Sequence, residues 1–104
     1  MARVIWAPQA FGDLVRLRRF LATENPRAAM AAMAAIRRRV QDLGLFPHSG
    51  RFVHEGDESL REWLVPFSNS GYVVLYEVRG NDVTIARVRH MREAGYRPPG
   101  SDQP

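Results

Sequence analysis

Leu60-Arg61-Glu62-Trp63-Leu64-Val65-Pro66-Phe67 is the stretch on which the reading of this chain turns. Its residues alternate, with Arg61, Trp63, Val65 and Phe67 on one face and Leu60, Glu62 and Leu64 on the other, the period of a strand. Pro66 donates no ladder hydrogen bond, which places it at an edge or a strand end. Ser68-Asn69-Ser70-Gly71 is a turn, and Tyr72 to Val78 is a nearly continuous apolar run that reads as a central strand. Arg79-Gly80-Asn81-Asp82 closes a second hairpin on Gly80-Asn81. Val83 to His90 is then the last strand, with Val83, Ile85, Arg87 and Arg89 on one face and Thr84, Ala86, Val88 and His90 on the other.

Upstream of this meander the period is helical. From Pro8 to about Thr23, Phe11, Leu14, Leu17 and Leu21 recur at helical spacing, with Asp13 near the positive end. Glu24-Asn25-Pro26 breaks the pattern, since Asn25 suits a helix cap and Pro26 the first helical position. Ala29, Met30, Met33, Ile36, Val40 and Leu43 form the next stripe, with Gly44 as its stop. So short a join predicts an antiparallel helical hairpin. Arg3-Val4-Ile5-Trp6 reads as a strand able to join either sheet edge. Leu45 to Ser59 reads as loop, with Arg51-Phe52-Val53 as a brief edge strand. The expected fold is α+β: an N-terminal strand and an antiparallel helical hairpin packed on a mostly antiparallel sheet of three to five strands. Residues 1–96 form one domain, and 97–104, with Pro98-Pro99-Gly100, read as a flexible tail.

Composition narrows the function classes. The 104 residues fit a single domain, and 15 cations against 11 anions leave a net charge of +4. Every cation is arginine, the side chain best shaped for carboxylates and phosphates. Without cysteine there is no disulfide, thiolate catalysis or cysteine zinc site. His48, His54 and His90 have no metal-ligand spacing, so no metal is expected, and no cofactor motif is present. No apolar run reaches the roughly 20 residues of a membrane span, so a cytoplasmic location is expected.

Arg61, Arg87, Arg89, His90 and Arg92 come from neighbouring segments of the expected sheet and are candidates to meet a phosphate-bearing partner. The plainer reading pairs Arg87 and Arg89 with Glu62 and Glu77 across strands and leaves His90 as an ordinary half-buried histidine. Trp6, Trp63, Met30 and Met33 read first as core.

The chain also resembles a known family. Ile5-Trp6-Ala7-Pro8-Gln9-Ala10, the Asn25-Pro26-Arg27-Ala28-Ala29 corner and Leu43-Gly44-Leu45-Phe46-Pro47 with Gly50-Arg51 carry the first half of the likeness. Leu60-Arg61-Glu62, Tyr72-Val73-Val74-Leu75-Tyr76 and Arg87-Val88-Arg89-His90 carry the second. Together they look like the ParE branch of the RelE/ParE toxin superfamily, over about residues 3 to 92.

The resemblance implies the toxin of a bacterial type II toxin–antitoxin system, held in a hetero-oligomer by a ParD-like antitoxin. It places the antitoxin in the groove between helices and sheet, with Ile36, Val40, Arg61 and Trp63 as contact candidates. ParE-like members poison DNA gyrase, whereas RelE-like members cleave messenger RNA on the ribosome. A RelE-type ribonuclease carries an arginine on the central strand and an aromatic neighbour near its histidine. Here the central strand has no arginine, and His90 lacks that neighbour. Were the chain a ribonuclease, Arg61, Arg89 and His90 would be its catalytic residues. The expectation is a non-enzymatic gyrase inhibitor meeting its target through Arg87, Arg89, His90, Arg92 and Tyr96. A ribonuclease or a toxin-like module without surviving activity is the alternative.

Overall fold

In the computed structural model, which describes residues 1–98, the Asn25-Pro26 corner does what its chemistry requires. The Asn25 side-chain oxygen accepts the Ala28 N–H at 3.0 Å, and Pro26 opens the second helix. Helix α1 spans Pro8–Ala22 and helix α2 spans Pro26–Leu45. The strands are β1 (Arg3–Trp6), β2 (Arg51–His54), β3 (Asp57–Phe67), β4 (Ser70–Arg79) and β5 (Asp82–His90). They form one sheet in the order β1-β5-β4-β3-β2. β1 joins the β5 edge in parallel, and all other pairings are antiparallel, as expected of this α+β fold.

One face of the sheet is covered by the helical hairpin. Ala10 and Leu17 from α1 and Ala32, Ile36, Val40 and Leu43 from α2 meet Val65, Val74, Tyr76, Val83, Ile85 and Val88 there. The close-packed alanines let the helices approach the sheet. Beyond the reach of β2, the free edge of β3 is closed by chemistry: Arg39 donates to the Leu64 carbonyl at 2.9 and 3.2 Å, and Pro66 has no N–H to offer. The Arg39 guanidinium also lies 4.3 Å over the Trp63 ring.

Several sequence expectations change. Met30 is exposed rather than core, because the buried stripe of α2 runs through Ala29 and Met33. Phe11 is likewise exposed, and the α1 stripe is Ala10, Asp13 and Leu17. Gly44 lies inside α2, not at its stop, and its carbonyl accepts the Ala2 N–H at 2.7 Å. β3 begins at Asp57, so part of the expected loop is strand. Of the anticipated tail, residues 99–104 lie outside the described residues. Arg97 lies within them and pairs with Glu93 at 3.4 Å.

Candidate functional site

The largest departure from the sequence reading is a bulge at Ala86. Leu75 pairs with Arg87 while Tyr76 pairs with Ile85, so Ala86 is the extra residue and the alternation of β5 slips by one. Val83, Ile85, Val88 and His90 therefore share the helix side, whereas Arg87 and Arg89 turn to the opposite face. The expected grouping of Val83 and Ile85 with these arginines is overturned for that reason.

Neither arginine pairs with Glu62 or Glu77. Arg87 makes a two-point ion pair with Asp13 at 2.8 and 3.0 Å, and the same carboxylate accepts the Val88 N–H at 2.8 Å. Asp13 thus seals the stretch of β5 edge that β1 is too short to cover. The bond to Asp13 raises the pKa of Arg87, although burial opposes it. Arg89 donates to the carbonyls of His90, Met91 and Glu93 at 3.0 to 3.4 Å and fixes the turn after β5.

That turn leads into a strap, residues 91–97, laid over the open face of the sheet. Tyr96 fastens it, with its ring 5.8 Å from the Arg87 guanidinium and 5.4 Å from that of Arg89. Its hydroxyl donates to Glu62 at 2.6 Å. Burial, reinforced by Glu62, pushes the Tyr96 phenol well above its usual range. The Arg87 side chain closes the strap by donating to the Arg97 carbonyl.

Glu93 holds the other margin. It pairs with Arg16 at 3.0 and 3.2 Å and accepts the His90 N–H at 2.8 Å. Burial disfavours its charge, but the His90 N–H and the two arginines outweigh this and lower its pKa. His90 stands edge-on to Tyr72 at 5.3 Å, and its Nδ1 accepts the Arg92 N–H at 3.1 Å. With that nitrogen occupied, only Nε2 is left to meet a partner. Arg92 is exposed, and among the described residues its guanidinium has no carboxylate partner.

Between the strap and the hinge of the helical hairpin lies a cleft of about 540 Å³. Leu17, Phe20, Leu21, Ala28, Phe67 and Tyr72 give it an apolar lining, and Arg16, His90, Arg92 and Glu93 a polar margin. Ser68 and Asn69 form its lip, in the two-residue turn closed by the Phe67–Ser70 pair. Ser68 adopts φ 55°, a conformation that glycine takes more readily and that costs a non-glycine residue about 1 kcal/mol or more.

The remaining candidates lie elsewhere. Arg61 faces the loop before β2, donating to the His48 and Gly50 carbonyls at 2.9 and 3.0 Å and stacking on Phe52. Arg61 is opposite Tyr76, and His90 is opposite Tyr72, so about 13 Å of strand separates them. Arg89 is on the other face again, and Arg61, Arg89 and His90 do not converge. Ile36 and Val40 are 0% and 1% exposed. Both side chains are spent on the core of the free chain. Trp63 is half-buried beneath Arg39.

Comparison with known proteins accounts for this architecture. A family model described as the ParE toxin of the type II toxin–antitoxin system, parDE, matches residues 4–95. The chain belongs to the ParE toxin family. Among curated relatives, Toxin RelE3 of Caulobacter vibrioides is 38% identical over 93 residues, covering 89% of this chain and 98% of the relative. Toxin RelE1 of the same organism is 31% identical over 87 residues, covering 84% and 90%. A chain of the chromosomal ParDE toxin–antitoxin system from P. aeruginosa shares the fold with a TM-score of 0.68. At 19% identity it covers 86% of this chain and 96% of that one. The protein is thus a type II toxin of the ParE/RelE kind, and the family implies an antitoxin partner. None of the described helices is long and apolar enough to cross a membrane.

Within this ParE-family site, sequence reading found the basic residues but missed the acids that organise them. Asp13 carried a usable signal. It lies between Ala10 and Leu17 at spacings of three and four, on the buried stripe, where a carboxylate requires a cation. Glu93, in a short irregular segment, carried none.

Proposed function

We propose that this toxin inhibits DNA gyrase without catalysing a reaction, acts in the cytoplasm, and is neutralised by a ParD-like antitoxin. The observation that carries the reading is the dispersal of Arg61, Arg89 and His90. Arg61 is committed to two loop carbonyls and Arg89 to three turn carbonyls. General acid–base cleavage of RNA needs its groups within hydrogen-bond reach of one phosphate, so the separation of these three residues supports the non-enzymatic reading. What the arrangement supplies is a rigid turn that presents Arg92 and the edge of His90. Arg87, Arg89 and Tyr96 then act as posts that hold the contact surface, and Arg92 as the residue that touches the target.

The antitoxin occupies the cleft beside this turn. Its apolar side chains fill the space between Leu17, Phe20, Phe67 and Tyr72, and its acidic residues meet the arginine margin. The antitoxin surface therefore shifts from Ile36 and Val40 to the hinge end of the hairpin, with Trp63 and Arg61 at its far side.

Expression of the toxin alone in bacteria distinguishes the activities. This reading expects broken chromosomal DNA with full-length transcripts in primer extension, both reversed by the antitoxin. Discrete cuts in translated messenger RNA over intact DNA would move the assignment to a ribonuclease.

A further inference from the structure

Seven of the fifteen arginines are neutralised within the molecule. Arg3, Arg16, Arg39, Arg51, Arg79, Arg87 and Arg97 each lie within 4.0 Å of a carboxylate. Arg61 and Arg89 are spent on backbone carbonyls. Arg18, Arg19, Arg27, Arg37 and Arg38 are exposed and, among the described residues, have no carboxylate partner. All five belong to the helical hairpin; Arg92, on the turn beside the cleft, is the sixth exposed arginine without a carboxylate among the described residues. The acids of the hairpin do not offset them, because Asp13 and Asp42 already face other arginines and only Glu24 remains. The exposed acids Glu55, Asp57 and Glu58 gather instead at the β2–β3 turn. That turn lies at the end of β3 away from the cleft and the hairpin hinge. The net charge of +4 is therefore polarised along the molecule rather than spread over it.

From this polarity we infer that the outer face of the helical hairpin binds the phosphate backbone of duplex DNA. Arg27 and Arg38 are three helical turns apart, so they share one outward stripe about 16 Å long. Arg37 flanks this stripe, and Arg18 and Arg19 extend the charge onto α1. Guanidinium groups suit phosphate oxygens, which they can meet in two-point fashion. The cleft, with its apolar lining, is the place for a peptide, while this face is exposed helix whose unneutralised charge fits a regular row of anions. Such contacts carry position and affinity rather than base sequence. The inference does not rest on gyrase being the target, although a toxin that meets an enzyme already holding DNA would gain a second handle there.

Fluorescence anisotropy of a labelled 20-base-pair duplex against the purified full-length toxin, titrated across salt concentration, tests this. Engagement of all five arginines gives a slope of log K against log salt near −4.5, at about 0.9 per neutralised phosphate. Arg27→Gln and Arg38→Gln should each reduce the slope by about 1 with helix content unchanged by circular dichroism, whereas Arg92→Gln should not change it. Equal slopes for wild type, Arg27→Gln and Arg38→Gln would overturn the assignment. So would a slope that responds only to Arg92→Gln. A polyglutamate peptide that binds with the same arginine dependence, in the absence of duplex binding, would make the face a protein-docking surface and likewise overturn it.

Discussion

Asp13 on α1 and Arg87 on β5, 74 positions apart in the chain, form a part-buried two-point ion pair, and the same carboxylate caps the Val88 N–H. The pair ties the helical hairpin to the strand that leads into the strap, so one contact links the core to the candidate target surface. Asp13→Ala leaves a half-buried guanidinium and a backbone N–H without their acceptor. The expected cost is about 3 kcal/mol in urea unfolding. Asp13→Asn keeps one acceptor and should cost less. A loss below about 1 kcal/mol for the alanine variant would show that the pair does not anchor the hairpin.

Tyr96 makes stability sensitive to alkali. Its folded pKa is raised above the ordinary value of 10.0, so its contribution is complete below that value and fades as pH rises past it. Between about pH 9 and about pH 11, wild type should lose roughly 1 kcal/mol more than Tyr96→Phe, which has no phenol to ionise. Tyr72 and Tyr76 are also raised by burial and are common to both proteins, so the difference isolates Tyr96. Parallel curves for the two proteins would contradict the half-buried Tyr96–Glu62 contact.

Arg89 and Arg92 separate positioning from contact. Arg92→Ala should abolish growth arrest while the urea midpoint stays within experimental scatter, because its guanidinium is exposed. Arg89→Ala releases three carbonyls, so toxicity and stability should fall together, the latter by about 1–3 kcal/mol. A fully toxic, folded Arg92→Ala variant would remove Arg92 from the target surface.

Tyr76 holds the loop before β2 from inside the core. Its hydroxyl accepts the Gly50 N–H at 2.8 Å and donates to the Pro47 carbonyl at 2.9 Å. Tyr76→Phe should cost about 1–3 kcal/mol by leaving both groups unpaired. Gly50→Ala should be at least as damaging, since its new methyl group would stand 2.7 Å from the Glu62 carbonyl and against the Tyr76 hydroxyl. Thermal melts of the two variants check this, and an unchanged midpoint in Gly50→Ala would show that the loop yields freely.

Much of this architecture was open to sequence reading because hydrophobic periodicity changes where the elements change. Proline and asparagine marked the hinge, and glycine with asparagine marked the last hairpin. The side to which Arg87 points was not legible, because it depends on the Ala86 bulge. A bulge is an accommodation between two paired strands, and nothing in the alternation of β5 announces it. The fate of Arg61 and Arg89 was hidden for a similar reason: their partners are backbone carbonyls, which every residue possesses. Asp13 could have been read from its place on a buried stripe. Met30 and Phe11 are exposed because the buried stripes run through their neighbours Ala29 and Ala10, and a spacing rule does not choose between adjacent apolar residues.

The central claim, a gyrase poison that performs no chemistry of its own, is tested most directly with purified components. Supercoiling of relaxed plasmid by DNA gyrase should be measured with antitoxin-free toxin, and cleaved plasmid should be scored after protein denaturation. The account predicts loss of supercoiling with accumulation of cleaved DNA, both reversed by the antitoxin and both absent with Arg92→Ala. Undiminished supercoiling and no cleavage at micromolar concentrations of folded toxin would contradict it.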